Sequence, residues 1–341
     1  KTIDPFVVNV EDDNREPMQW RVFDDRPFEF LLKIVKKDAQ TGNTVLKAGA
    51  SYKIYDVTNK KYIEQVVQYP KKEKISVFET NEEGYLITPQ ELKCSTYRIE
   101  EVKAPEGFVR QGSEESLYDG TTIISPLEQT TKGTYKENPQ SGIVITVSSN
   151  TAHQIDPDTG AAIVEVEQKN DEQVGSLLLT KKGEQLTEVT GDSVLAKVKA
   201  LVSKVRNAVS GKEETGIYKG FKYEETGVEG AEFEVYAKDT IYSPDGAKDE
   251  EGNPVVRYEK DDLVAKLTTD ENGTAVIYNL PLGTYYLKEV VAGENFVLNT
   301  EQKEFTLTVE DDTQAVVYEG VAYKNERQKI SISVEKKDAV T

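Results

Sequence analysis

Lys36, Lys181 and Lys336 each occupy an inward position in an apolar strand pattern. In FEFLLKIVKKD at 28–38, Phe28, Phe30, Leu32, Ile34 and Lys36 share one parity, and strand alternation puts them on one face. The same count joins Lys181 to Leu177 and Leu179, and Lys336 to Ile330, Ile332 and Val334. An unpartnered buried ammonium is costly, so each lysine needs a partner. Candidates stand on later strands. In TYRIEEVK at 96–103, Tyr97, Ile99 and Glu101 share a face; in TYYLKEVV at 284–291, Tyr285, Leu287 and Glu289 do. Ala162, Val164, Val166, Gln168 and Asn170 share an inward face, as do Val321, Tyr323 and Asn325. Two sets result: Lys36, Glu101, Asn170 and Lys181, Glu289, Asn325.

Full burial lowers a lysine's pKa and raises a glutamate's, each by up to about 3–5 units. A neutral lysine amine is a nucleophile, and a protonated glutamic acid donates to a carbonyl oxygen. With an asparagine carboxamide between them, the amine attacks its carbon and ammonia leaves. The product is a Lys–Asn isopeptide bond between first and last strands, with proximity in the folded core supplying much of the rate. The same residues also read as a buried Lys–Glu ion pair with Asn as an added hydrogen-bond partner. Recurrence on first, middle and last strands of both repeats favours the chemical reading. Such a reaction happens once per module, so it is not turnover and the chain does not read as an enzyme.

The elements that position these residues read as all-β. Residues 28–172 carry short strand patterns separated by turns at AQTGN, NEEG and DPDTG, with a polar excursion over 110–160 that includes one late strand. Residues 173–327 repeat the plan, with Lys181 expected at the end of the first strand. An insertion over 192–210 places Val194, Val198, Leu201, Val205 and Val209 at helical spacing, with Asp192 as cap and Gly211 as stop, and predicts one amphipathic helix. The distance from an inward amide or acid to the next inward lysine is constant: 36 − 25, 181 − 170 and 336 − 325 all equal 11. Internal repetition of this kind marks a tandem array. The expected division is 1–27 as the end of a preceding module, 28–172 and 173–327 as complete modules, and 328–341 as the first strand of a following one. The chain is therefore expected to be a piece of something longer.

Composition narrows the classes further. A net charge of −19 opposes nucleic acid or anionic membrane as partner. The single Cys94 allows no internal disulfide and reads as a small buried or half-buried filler. His153 is the only histidine, which excludes a His-based protease triad and a multi-His metal site. The acidic stretches 156–158 and 245–251 are calcium candidates that read better as solvated turns, because neither carries a full ligand set. No metal or cofactor is expected.

The segments KIVKKDAQTG, YRIEEVKAPEGF and VEVEQKND of the first repeat, with GVEGAEFEVY, TTDENG, LPLGTYYLKEV and VAYKNE of the second, resemble Cna-type B domains. These are the transthyretin-like, Ig-like β-sandwiches of Gram-positive pilins and surface adhesins, the SpaA-like family. The resemblance covers most of residues 28–327, and EEVKAPEGF is its most specific segment. It implies tandem sandwiches with self-formed Lys–Asn or Lys–Asp bonds, and carries the promoting role onto Glu101 and Glu289. The cross-linked residues would be Lys36 with Asn170 and Lys181 with Asn325. Asp25, favoured by spacing over Asp24, would be the acceptor of a truncated module, and Lys336 the lysine of the next. The second repeat departs from the pattern in KKGEQL and VVAGENF, and parity selects Lys181 over Lys182. The implied role is a cell-wall-anchored stalk outside a Gram-positive cell, with neighbouring modules, sortase-linked subunits or a host ligand as partners. The alternative is a ligand-binding adhesin region using the 110–160 excursion or the 192–210 helix. Tyr69-Pro70-Lys71 resembles a sortase-acceptor motif but reads as a solvated turn; Leu280-Pro281-Leu282-Gly283-Thr284 reads as a turn before a strand.

Overall fold

The computed structural model describes residues 27–68, 70–111, 117–118, 123–124, 142–189, 221–329 and 333–336. The described residues form strands and turns and no helix. The helix expected over 192–210 lies outside them. The strands that build the first sandwich are β1 (Glu29–Asp38), β2 (Ser51–Asp56), β3 (Tyr85–Ile87), β4 (Ser95–Lys103), β5 (Ile143–Val147) and β6 (Ala162–Asn170). Those of the second are β7 (Val174–Val189), β8 (Phe221–Gly227), β9 (Glu232–Ala237), β10 (Leu263–Thr268), β11 (Thr274–Pro281), β12 (Gly283–Val291), β13 (Lys303–Leu307) and β14 (Val316–Asn325).

Each sandwich pairs its first strand in parallel with its last. In the first, β1 lies between β6, parallel, and β3, antiparallel. The facing sheet runs β5-β4-β2. In the second, β7 runs parallel to β14 on one side. On the other it pairs with β11 through its first half and β8 through its second. The facing sheet runs β10-β9-β12-β13. Inward apolar residues from both sheets close each core: Phe30, Leu32 and Ile34 meet Tyr52, Ile54, Tyr97 and Ile99, and Leu177 and Leu179 meet Phe233, Val235, Tyr285 and Leu287. The expected end of β7 at Lys181 is corrected. The strand continues to Val189 because β8, not read from the sequence, takes over as its antiparallel partner from Lys182 onward.

A tight turn in each module holds the backbone of the inward lysine. Gly84 (φ 78°) and Gly273 (φ 73°) adopt the left-handed conformation that glycine alone enters without strain. Their carbonyls accept from Lys36 N at 2.8 Å and Lys181 N at 2.6 Å. A Cβ at Gly84 would fall 2.1 Å from the Val45 carbonyl oxygen, and one at Gly273 would fall 2.3 Å from that of Lys181. The side chains Asn81 and Asp270 close these turns by accepting backbone N–H groups of Glu83 and Tyr85, and of Asn272 and Thr274.

Three stretches of the first sandwich meet the second. Thr41 and Asn43, in the turn after β1, donate to the buried Asp245 carboxylate. Past β4, Ala104 N donates to Asp312 Oδ2 at 2.8 Å and Arg110 N to Asp312 O at 2.6 Å, while Val109 is buried with Ala315 and Val316. Past β6, Glu172 receives both arms of the Arg257 guanidinium, and Gln173 Nε2 donates to the Asp311 and Gln314 carbonyls.

Candidate functional site

β1, β4 and β6 bring Lys36, Glu101 and Asn170 together. Alternation aims all three inward, and all three are buried. The parallel register places Lys36 opposite Gln168 and Asp38 opposite Asn170, so Lys36 and Asn170 are diagonal neighbours. Lys36 Nζ lies 2.8 Å from Glu101 Oε1. Asn170 Nδ2 donates to Glu101 Oε2 at 2.8 Å, and the Gln111 backbone N–H donates to that same oxygen at 2.7 Å. The carboxylate thus stands between amine and carboxamide.

The second centre repeats the first. Lys181 is opposite Tyr323 and Gly183 opposite Asn325, the same diagonal. Lys181 Nζ lies 2.6 Å from Glu289 Oε1. Asn325 Nδ2 donates to both oxygens of Glu289, at 2.9 and 2.8 Å. The Asn299 backbone N–H donates to Glu289 Oε2 at 2.7 Å. In both modules this last donor lies ten residues beyond the glutamate, since 111 − 101 and 299 − 289 agree.

Electrostatics prepares the amines. Burial pushes the Lys36 ammonium below its ordinary pKa, against the pull of the Glu101 carboxylate. Burial does the same to Lys181, opposed by Glu289. Lys181 Nζ also sits 5.6 Å from the ring centroids of Phe233 and Tyr323. The carbonyl oxygens Asn170 Oδ1 and Asn325 Oδ1 are buried, with no hydrogen-bond donor in either described centre. A 180° turn of the carboxamide, which exchanges Oδ1 and Nδ2, would present that oxygen to the glutamate.

The residue opposite the glutamate differs between the two centres. Tyr52, opposite Glu101, points its hydroxyl at Glu101 Oε1 at 3.4 Å, and its pKa is pushed well up by burial and by the Glu101 charge. Phe233 holds the matching place opposite Glu289. The second module's hydroxyl comes from Tyr323, and it donates to backbone carbonyls of Leu287 and Glu301 rather than to the glutamate.

Sequence reasoning missed Tyr52 and the N–H groups of Gln111 and Asn299. No face was assigned to Tyr52 or its strand, and a backbone donor has no signature in residue type. It also missed a buried acidic group beside the first centre, formed by Asp38, Asp171 and Glu172 with Asp245 and Arg257 near it. Burial and the Asp38 charge push Asp171 up to about 6, with Lys36 opposing.

The remaining candidates are not brought to a centre. Asp25 lies outside the described residues. Lys336 is exposed and lies in no strand among the described residues. Cys94 is exposed, contrary to the filler expected, because the chain bends at Cys94 between Leu92–Lys93, which pairs with β1, and β4, so the alternation is broken there; its Sγ sits 3.6 Å from the Phe28 carbonyl oxygen. Asp156 and Asp249 accept backbone N–H groups of their own turns. Among the described residues no group of three His, Cys, Asp or Glu is arranged to hold a metal.

The sequence profile of the SpaA prealbumin-like fold domain matches residues 31–117 and 216–322, more than half of the chain. The chain belongs to this family. Among solved structures it is similar to the Bacillus anthracis TIE protein, at 17% identity and a TM-score of 0.41 over 87% of this chain and 34% of that one. It is also similar to a streptococcal ancillary pilin, at 17% identity and a TM-score of 0.27 over 93% and 68% of the two chains. A third is GBS52, the minor pilin of Streptococcus agalactiae, at 15% identity and a TM-score of 0.27 over 90% and 100%. The chain thus spans about a third of the TIE protein's length. No curated protein matches it.

Proposed function

We propose that this chain is a segment of an extracellular stalk, in a pilin or adhesin of a Gram-positive cell surface, whose modules 28–172 and 173–327 each staple themselves with a Lys–Asn bond. The observation that carries this reading is the duplicated centre: the same three residue types, diagonal register and backbone donor recur in both modules.

The chemistry follows from the contacts. A proton passes from the lysine ammonium to the glutamate across the ion pair, leaving a neutral amine and a carboxylic acid. The asparagine turns its Oδ1 toward that acid, which donates to it as Nζ attacks Cγ. The tetrahedral intermediate then collapses, the Cγ–Nδ2 bond breaks, and the departing nitrogen takes one proton from the amine and the one the acid had supplied, leaving as ammonium. An Nζ–Cγ amide remains and the glutamate is unchanged in sum. The buried site excludes competing water. Each glutamate acts once, so the chain is no turnover enzyme. Partners are neighbouring modules and other pilin-like subunits.

Placement explains the use. Force enters through β1 and leaves after β6. A bond from Lys36 to Asn170 carries it across and bypasses residues 37–169. Pulling the chain from both ends in single-molecule force spectroscopy is expected to release none of that length in the wild type. In the Glu101→Gln chain the same residues should add about 450 Å when extended. Extension of residues 37–169 in the wild type would overturn the stalk reading.

A further inference from the structure

We propose that the second sandwich completes the first module's reaction centre, with Asp312 as a positioning residue for Glu101. The inference rests on the self-stapling reading above. Its geometry starts from the stretch 104–111, which leaves β4 just after Glu101 and returns to it. Asp312 holds both ends of that stretch. Its Oδ2 accepts from Ala104 N at 2.8 Å, and its backbone carbonyl accepts from Arg110 N at 2.6 Å. Arg110 Nε stands 3.4 Å from the other carboxylate oxygen. Between these ends Val109 is 2% exposed, packed with Ala315 and Val316. The next residue, Gln111, gives its N–H to Glu101 Oε2, the oxygen that also receives Asn170. Asp312 therefore acts through one short stretch on the carboxylate oxygen that faces the acceptor.

The second centre supplies the contrast. Its matching stretch ends at Asn299, whose N–H serves Glu289, but Val297 and Leu298 are 50% and 44% exposed. Both stretches are tied to the strand exit of their own module, Val109 N donating to Asp171 O as Val297 N does to Glu326 O. What the second stretch lacks, among the described residues, is a counterpart of Asp312. It is held by residues around that exit, Asn299 Nδ2 donating to Lys324 O and Gln328 Nε2 to Phe296 O. The first bond would therefore close faster once the second module has folded and docked, whereas the second needs no such neighbour. Because synthesis runs from the first module to the second, the staple would lock a junction already made.

The test uses the whole chain made by cell-free translation, sampled over time and digested. Mass spectrometry counts the Lys36–Asn170 and Lys181–Asn325 branched peptides separately. Asp312→Ala is expected to slow the first bond by about 10-fold or more, the scale of a positional error at a reacting centre. The second bond should keep its wild-type rate, which shows that the module carrying the change folds. Asp312→Asn retains an oxygen for Ala104 N and should restore most of the first rate. Equal slowing of both bonds, or of neither, overturns the proposal. Hydrogen exchange at the Gln111 amide is a readout independent of the covalent step. It should quicken in Asp312→Ala, and unchanged protection there overturns the proposal whatever the rates. A wild-type chain that forms neither bond would sink the stapling reading itself. In that case the Gln111 exchange still decides whether Asp312 positions Glu101's partner.

Discussion

Replacing Glu101 by alanine is expected to leave the first module unstapled and much less stable, while the second keeps its bond and its protection. Two effects act together. Lys36 loses the carboxylate 2.8 Å away and stays in a core that exposes none of it. Breaking a buried ion pair by removing one partner costs about 3–5 kcal/mol. The missing bond also frees the unfolded chain between Lys36 and Asn170. Treated like a disulfide closing a loop of 170 − 36 = 134 residues, that constraint is worth about 5 kcal/mol at 25 °C. Glu289→Ala should do the same to the second module, whose loop of 325 − 181 = 144 residues is nearly the same length. Hydrogen exchange across a urea series resolves the modules. The changed module should lose protection well below the urea concentration its neighbour withstands. Loss of both modules together, or of neither, would contradict independent staples.

Substituting Asp171 by asparagine is expected to stabilise the chain above pH 6. Asp171 is 6% exposed, beside Asp38 and Glu172, with Asp245 and Arg257 in the same junction and Lys36 beyond. Its pKa rises from the ordinary 3.8 to about 6 on folding, through burial first and the Asp38 charge second. A raised carboxyl pKa means that the folded chain binds this proton more tightly than the unfolded chain. The carboxyl therefore costs nothing below pH 3.8, costs progressively more as pH climbs to 6, and carries its full cost above that. The difference of 6 − 3.8 units corresponds to about 3 kcal/mol. Asparagine keeps the shape without the charge. Urea unfolding of the two chains should agree near pH 3.5 and separate by up to about that amount at pH 7. A variant less stable than wild type at pH 7 would mean that the carboxylate is held by contacts stronger than its burial penalty.

The two centres were legible in sequence because strand alternation is a rule of parity. One lysine among Phe30, Leu32 and Ile34 is enough to mark an inward charge, and the repeat confirms the register by recurring. The sequence placed β1 and β6 as first and last strands joined by the bond, but their parallel pairing is seen only in the structure. Other features were hidden for definite reasons. β8 begins after a long insertion and reads FKYEETG, which has few apolar residues because only its backbone is needed to pair with the second half of β7. The contacts of Asp312, Arg257 and Asp245 join residues 85 to 208 positions apart, and no local pattern records such pairs. Cys94 looked like filler by residue type, but the chain bends there, between a short strand paired with β1 and the start of β4, and alternation does not carry through.

The most direct test of self-stapling is the intact mass of the purified chain, measured beside Glu101→Ala and Glu289→Ala. The account predicts that the wild type is lighter than its sequence by two molecules of ammonia, and each variant by one. A wild-type chain at its full sequence mass would contradict it, and would leave Lys36–Glu101–Asn170 and Lys181–Glu289–Asn325 as buried ion pairs with a hydrogen-bonded amide.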